Sequence, residues 1–264
     1  MAAQLSSQEL ADRARAEVAE LLDRQLSPLG LVAMDVLAPQ PGQTIVDVGC
    51  GAGQTVQQLA SRVGASGCVI GVDIAPCVLG IARSRTYGLG QVHFIQADAA
   101  DLALPDEMVD GVFSRFGVMT FDDPVAAFSN FRRMIKRGGR LSFVCWRSLE
   151  ENELDLIPLQ AAGLDIAIDK TPIKFERRDF VLDVLRSAGF VQIVIEAFDT
   201  RVSSGNLDAM MSVLTKVGAL GKILRETPAL LSRAEPRVRK ALMARASDRH
   251  ISLKAATWIV SAAA

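Results

Sequence analysis

The chain has 264 residues, half of them hydrophobic, and its 29 basic and 30 acidic side chains nearly cancel to a formal charge of −1. That length holds one well-filled α/β domain with additions, and the even charge leaves no footprint of a nucleic-acid or membrane partner. Cys50, Cys68, Cys77 and Cys145 form no C-x-x-C pair and have only His93 and His250 beside them, so reduced cytoplasmic thiols are expected and a metal site is not.

Apolar residues Leu10, Ala14, Val18, Leu21 and Leu22 recur at helical spacing, which predicts an amphipathic helix from about residue 8 to 26. Glu9, Asp12, Glu17, Glu20 and Asp23 interrupt this stretch, so it reads as neither signal peptide nor membrane span. From residue 44 short apolar runs alternate with helical periods. "TIVDVG" leads into a helix whose stripe is Val56, Leu59, Ala60 and Val63, stopped by Gly64. "GCVIGVD" precedes a helix opened by Pro76, and "VHFIQAD", "MVDGVFSRFG" and "RLSFVCW" supply three more strands. The helix through "PVAAFSNFRRMIKRGG" is expected to carry Arg132, Arg133, Lys136 and Arg137 in its last turns, facing the negative end of its dipole. Alternation of this kind predicts a doubly wound, mostly parallel sheet with its ligand crevice at the carboxyl ends of the strands.

Beyond Trp146 the pattern changes. A polar, irregular stretch is expected from Ser148 to Glu176, then the helix "RDFVLDVLRSAGF" and the strand "VQIVIEAF". A helical segment from about Asn206 to Arg249 follows, with Met210, Met211, Val213, Leu214, Leu220, Ile223 and Leu224 as its packing stripe, before a last strand "AATWIVSA". The whole is expected to be a single domain, 1–264. Residues 1–40 would form a helical cap, 41–147 the cofactor-binding core, and 148–178 and 206–250 insertions near the substrate pocket, acting as a lid or an interface.

The stretch "IVDVGCGAGQ" carries Gly49, Gly51 and Gly53 at every second position, directly after a strand. Glycines here let a ligand approach the backbone and the amides of a helix N-terminus. A dinucleotide fingerprint would place its third glycine at position 54, which is Gln54. Asp47 beside the loop suits a cationic ligand better than a diphosphate. Asp73 closes the second strand, where an acid accepts ribose hydroxyls, and Asp98 closes the third, placed to hold an amine. A cationic nucleoside fits three acids at consecutive strand ends.

These residues resemble those of the class I S-adenosylmethionine-dependent methyltransferases: "VDVGCGAG", "GVDIA" and "QADAADL" are similar to the first three motifs of that family, over roughly residues 40 to 147. The resemblance implies S-adenosyl-L-methionine as cofactor and a sheet of order 3-2-1-4-5-7-6 with its last strand antiparallel. It implies Gly49, Gly51 and Gly53 along the methionine portion, and Asp47 ordering that loop. Asp73 would take the ribose hydroxyls, Ile74 would pack on the adenine, and Asp98 with Ala99 would meet its edge. Nucleic-acid and protein-amide methylases of the family carry an Asn or Asp, prolines and an aromatic after the fourth strand. This chain has Ser114, Arg115, Phe116 and Gly117 there, and "SRFGVM" with "GGRLSFVCWR" is similar to a group of bacterial small-molecule methyltransferases.

The resemblance therefore implies methyl transfer to a small, fairly apolar metabolite through an oxygen, carbon or nitrogen acceptor. In-line displacement gains most of its rate from alignment, so no catalytic side chain is required. His250 is the first general base to test. Arg115 is placed to contact cofactor or an anionic substrate, or else to pair with Asp122 or Asp123. Phe116, Met119, Trp146, Arg147, Met210 and Met211 are the pocket candidates. A non-catalytic cofactor-binding partner protein and an NAD(P)-dependent dehydrogenase are the alternatives. The expected assembly is a monomer or homodimer.

Overall fold

Runs dense in aliphatic and β-branched side chains form strands because those shapes fill a pleated surface covered on both faces. In the computed structural model, which describes residues 5–164, 175–246 and 251–264, the strands are β1 (Thr44–Val48), β2 (Cys68–Asp73), β3 (Val92–Gln96), β4 (Val109–Arg115), β5 (Ile135–Trp146), β6 (Val191–Gly205) and β7 (Ile251–Ala263). They form a seven-stranded sheet in the order β3-β2-β1-β4-β5-β7-β6. Neighbours among the first five strands are parallel, and β7 runs antiparallel to β5. This is the order and orientation expected.

The helices are α1 (Ser7–Glu17), α2 (Ala19–Leu37), α3 (Gln54–Val63), α4 (Pro76–Arg85), α5 (Pro124–Met134), α6 (Glu153–Ala162), α7 (Arg178–Ser187), α8 (Leu207–Leu214), α9 (Gly218–Glu226) and α10 (Leu231–Met243). The chain divides into two compact units. A sheet unit comprises Leu29–Arg147, Thr171–Phe198 and Thr257–Ala264, and a helical unit comprises Met1–Pro28, Ser148–Lys170 and Asp199–Ala256. Among the described residues no helix is long and apolar enough to cross a membrane.

In the sheet unit α3 buries the stripe expected of it, and Gly64 caps its end. Pro76 opens α4. Four phenylalanines interlock below the sheet: Phe128 lies 5.5 Å from both Phe131 and Phe143, and 6.0 Å from Phe175. Such ring pairs contribute about 0.5–1.5 kcal/mol each beyond burial of their area, so this corner anchors α5 to the sheet.

In the helical unit the ends of the helices are closed by side chains. Ser6 and Glu9 form a capping box at the start of α1. Arg233 and Arg237 of α10 donate to the carbonyls of Gly163 and Ala162 at the end of α6, satisfying acceptors a helix leaves open. Asp155 accepts from the Ala219 amide at the start of α9, 2.8 Å away. The buried Asn152 amide pairs with both backbone groups of Ala256, at 2.8 and 3.1 Å.

Three expectations need correction. The leading helix is two helices, α1 and α2, separated at Val18, and the second continues past Pro28 to Leu37. The basic run does not lie wholly in one helix: α5 ends at Met134, and Lys136 and Arg137 belong to β5, where they pair with Asp110 and Glu107. Local ion pairs, rather than the helix dipole, therefore account for those two cations. The stretch from Ser148 to Glu176 contains α6, whose Leu154, Ile157 and Ala162 are buried despite Pro158 within the helix; residues 165–174 of it lie outside the described residues. The segment from Asn206 onward is helical as expected, and its described residues divide into three helices, with breaks at Gly218, whose φ is 77°, and at Pro228; residues 247–249 lie outside the described residues.

Candidate active site

The loop after β1 is tied to the end of β2. The amides of Gly49 and Cys50 both donate to the Val72 carbonyl, at 2.8 and 3.0 Å. Asp73 completes the tie: one carboxylate oxygen accepts from the Gly51 amide and the other from the Ala75 amide, each at 2.9 Å. The second strand thus holds the loop through a charged acceptor, among the stronger hydrogen bonds available to backbone.

The glycines serve different ends. A Cβ on Gly49 would lie 2.7 Å from the Cα of Gly117, in the turn after β4, and one on Gly53 would lie 2.8 Å from the Cβ of Ala82. Gly51 has φ of 53°, and a Cβ there would meet nothing within 4 Å. Its neighbourhood is an open cradle bordered by backbone.

Asp47 is fully buried behind this loop. One of its oxygens accepts from the Thr55 hydroxyl, while the other, Oδ1, has no hydrogen-bond partner among the described residues. Burial pushes its carboxyl up to about 7, against the Thr55 hydrogen bond and the Arg115 charge, which favour the anion; the nearby Asp73 adds to the rise. Because the folded carboxyl holds its proton more tightly than the unfolded one, stability is greatest at low pH. It falls as pH rises from about 4 through about 7, then levels off. Asp47→Asn is expected to remove this dependence, so in urea denaturation the variant should gain on the native chain between about pH 5 and about pH 8. A difference that stays flat over that range would refute the assignment. Burial, with Asp47 and Asp73 nearby, also raises the Cys50 thiol far above its ordinary range.

The remaining cofactor candidates fall around the same strand ends. Ile74, just past β2, is 57% exposed, unusual for so large an apolar side chain. Asp98 is exposed and accepts from the Ala100 amide at 2.9 Å, capping a short helical turn, and Ala99 is buried in the core. Arg115 donates to Gln54 at the start of α3; Asp123 instead caps α5 by accepting from the Ala126 amide.

Of the pocket candidates, Phe116, Met119, Trp146 and Arg147 come together at the ends of β4 and β5. The rings of Phe116 and Trp146 stack at 4.1 Å, the Trp146 amide points at the Met119 sulfur 3.4 Å away, and the Arg147 guanidinium sits 5.0 Å over the Trp258 ring. Phe116 has φ of 63°, a left-handed conformation that costs a non-glycine residue about 1–2 kcal/mol. Met210 and Met211 lie buried in α8 of the helical unit, where the Met210 sulfur accepts from the Ser204 amide at 3.1 Å. His250 lies outside the described residues.

Three contributors escaped the sequence. Thr55 holds Asp47, and Ser114 donates to the Val48 carbonyl at 2.8 Å while accepting from the Gly117 amide at 3.1 Å. Gly117 is required by its contact with Gly49. Thr55 is a common residue eight positions from its partner, and Ser114 and Gly117 meet partners distant in sequence, so no local spacing marks their roles. Among the described residues no three His, Cys, Asp or Glu side chains gather as a metal site would require.

A family model for a methyltransferase domain matches residues 46–143, the span from β1 into β5 that bears this geometry. Aklanonic acid methyltransferase of a Streptomyces species is 32% identical over 119 residues, covering 44% of this chain and 54% of that one. Nocamycin O-methyltransferase of Saccharothrix syringae is 32% identical over 185 residues, covering 63% and 65%. The chain thus spans between half and two thirds of the length of these relatives. Phosphoethanolamine N-methyltransferase 2 of Haemonchus contortus, solved with S-adenosyl-L-methionine, shares the fold with a TM-score of 0.61 at 16% identity, covering 98% of this chain and 60% of that one. Residues 46–143 are thus similar to a methyltransferase domain, and they lie in a sheet whose strand order is the one expected of the class I S-adenosylmethionine-dependent methyltransferases.

Proposed function

We propose that the protein binds S-adenosyl-L-methionine at the β1–β2 strand ends and directs methyl transfer to an oxygen or carbon of a small, fairly apolar metabolite. The observation that carries this reading is the open cradle at Gly51, bordered by Asp73 and backed by the unpaired oxygen of buried Asp47. A buried carboxylate without its full set of donors is costly, and a cation in the loop above it offsets that cost. Ile74 offers exposed apolar surface to an adenine, Asp73 acceptors to ribose hydroxyls, and Asp98 an acceptor to an exocyclic amine. The relatives named for aklanonic acid and nocamycin support a small-metabolite acceptor.

The cofactor, when bound, supplies an electrophilic methyl group on a sulfonium. What the chain contributes is alignment: the Ser114–Gly117 turn is pinned to the donor loop through Ser114 and the Gly49–Gly117 contact, so an acceptor seated there is held at a fixed approach. Arg115, anchored by Gln54, supplies positive charge at the same edge.

Incubating the full chain with methyl-labelled S-adenosyl-L-methionine and a metabolite extract of the source organism should move label into a small extractable product. Tight cofactor binding by calorimetry without any labelled product would favour a non-catalytic binding protein instead.

A further inference from the structure

Phe116 stands in a conformation its side chain resists, one residue before a glycine that would adopt it freely. The backbone on either side is firmly fixed. The Phe116 amide donates to the Val144 carbonyl at 3.0 Å, and Gly117 is held by Ser114 and pressed against Gly49. A ring at position 116 is therefore carried on a rigid turn that abuts the glycine loop. Its partner, Trp146, ends β5, and the two rings lie 15° from parallel. Both residues are half-buried, packed against the core yet not closed off from solvent.

We infer that the Phe116–Trp146 stack is the acceptor platform and selects a flat aromatic ring over an aliphatic chain of the same size. This deepens the methyltransferase reading and rests on it. Strained residues persist where the surrounding structure enforces them, and they concentrate at ligand clamps. A rigid pair of parallel rings offers a π face that rewards a planar guest through offset stacking, whereas an alkyl chain gains only buried area. Rings fixed to two adjacent strand ends also set the plane of the guest, and so the direction in which its reacting atom meets the methyl group. Packing alone would explain a stacked pair, but it does not explain an aromatic at a position whose backbone favours glycine.

Calorimetric titration of the full chain, with and without S-adenosylhomocysteine, would compare naphthol with decanol, which have equal carbon counts. The native chain should bind naphthol. In Phe116→Gly and Trp146→Leu the ratio of naphthol to decanol affinity should fall about tenfold, while Phe116→Tyr restores it. S-adenosylhomocysteine affinity should stay within about twofold in all three variants. Phe116→Gly also relieves the left-handed strain, so it is expected to remain folded, checked by its thermal midpoint. Absence of naphthol binding in the native chain, or a ratio unchanged in folded Phe116→Gly, overturns the proposal. Failure of the native chain to bind S-adenosylhomocysteine would strike the cofactor reading instead, and the titration without it still reads the platform.

Discussion

Replacing Asp73 by Ala is expected to weaken S-adenosyl-L-methionine binding by about a hundredfold or more, since charged hydrogen bonds contribute about 1.5–3 kcal/mol each. Two effects combine. The variant removes the acceptors proposed for the ribose, and it releases the Gly51 amide that Asp73 holds. Asp73→Asn separates them, because its single carbonyl oxygen can still take one backbone amide but offers a neutral partner to the sugar. Calorimetry should place Asp73→Asn between the native chain and Asp73→Ala, with its melting temperature nearer the native value. Native affinity in Asp73→Ala would show that the ligand sits elsewhere.

The second large effect is expected at Gly117. A Cβ there would lie 2.4 Å from the Val48 carbonyl oxygen, with the Gly49 Cα and the Ser114 hydroxyl both at 2.9 Å. Two of these three neighbours are backbone of the strand end and loop, and neither of those can swing aside as a long side chain would. Gly117→Ala is expected to destabilise the sheet unit by about 1–3 kcal/mol, the usual cost of overpacking, or to push the donor loop out of position. Urea denaturation reads the first outcome and cofactor calorimetry the second. Native stability together with native affinity would mean that the Gly49–Gly117 approach is not required.

Most of the fold was legible because strands buried on both faces write themselves as continuous apolar runs, and α3 and α4 carry their stop and start signals in Gly64 and Pro76. The glycine loop and the three acids were legible because they sit at strand ends that the pattern locates. The helical unit was harder. The periodicity from residue 206 onward marks helix without marking its breaks, and α6 was hidden by Pro158 and by the acids of its first turn. Thr55, Ser114 and Gly117 were invisible for a different reason. The roles of Ser114 and Gly117 arise from the pairing of β1 with β4, which brings Val48 beside Ser114 across 66 positions of sequence, and that of Thr55 from the turn that folds α3 back onto Asp47.

The buried thiol of Cys50 has a chemical consequence for a protein of this kind. It stands in the glycine loop, between Gly49 and Gly51, with its sulfur turned toward β2, 3.0 Å from where a Cβ on Gly71 would lie. Burial and the two neighbouring carboxylates keep the sulfur protonated. With S-adenosyl-L-methionine in the loop as proposed, a thiol so placed is a poor acceptor for the cofactor's own methyl group, and the same burial shields the sulfur from alkylating agents and oxidants.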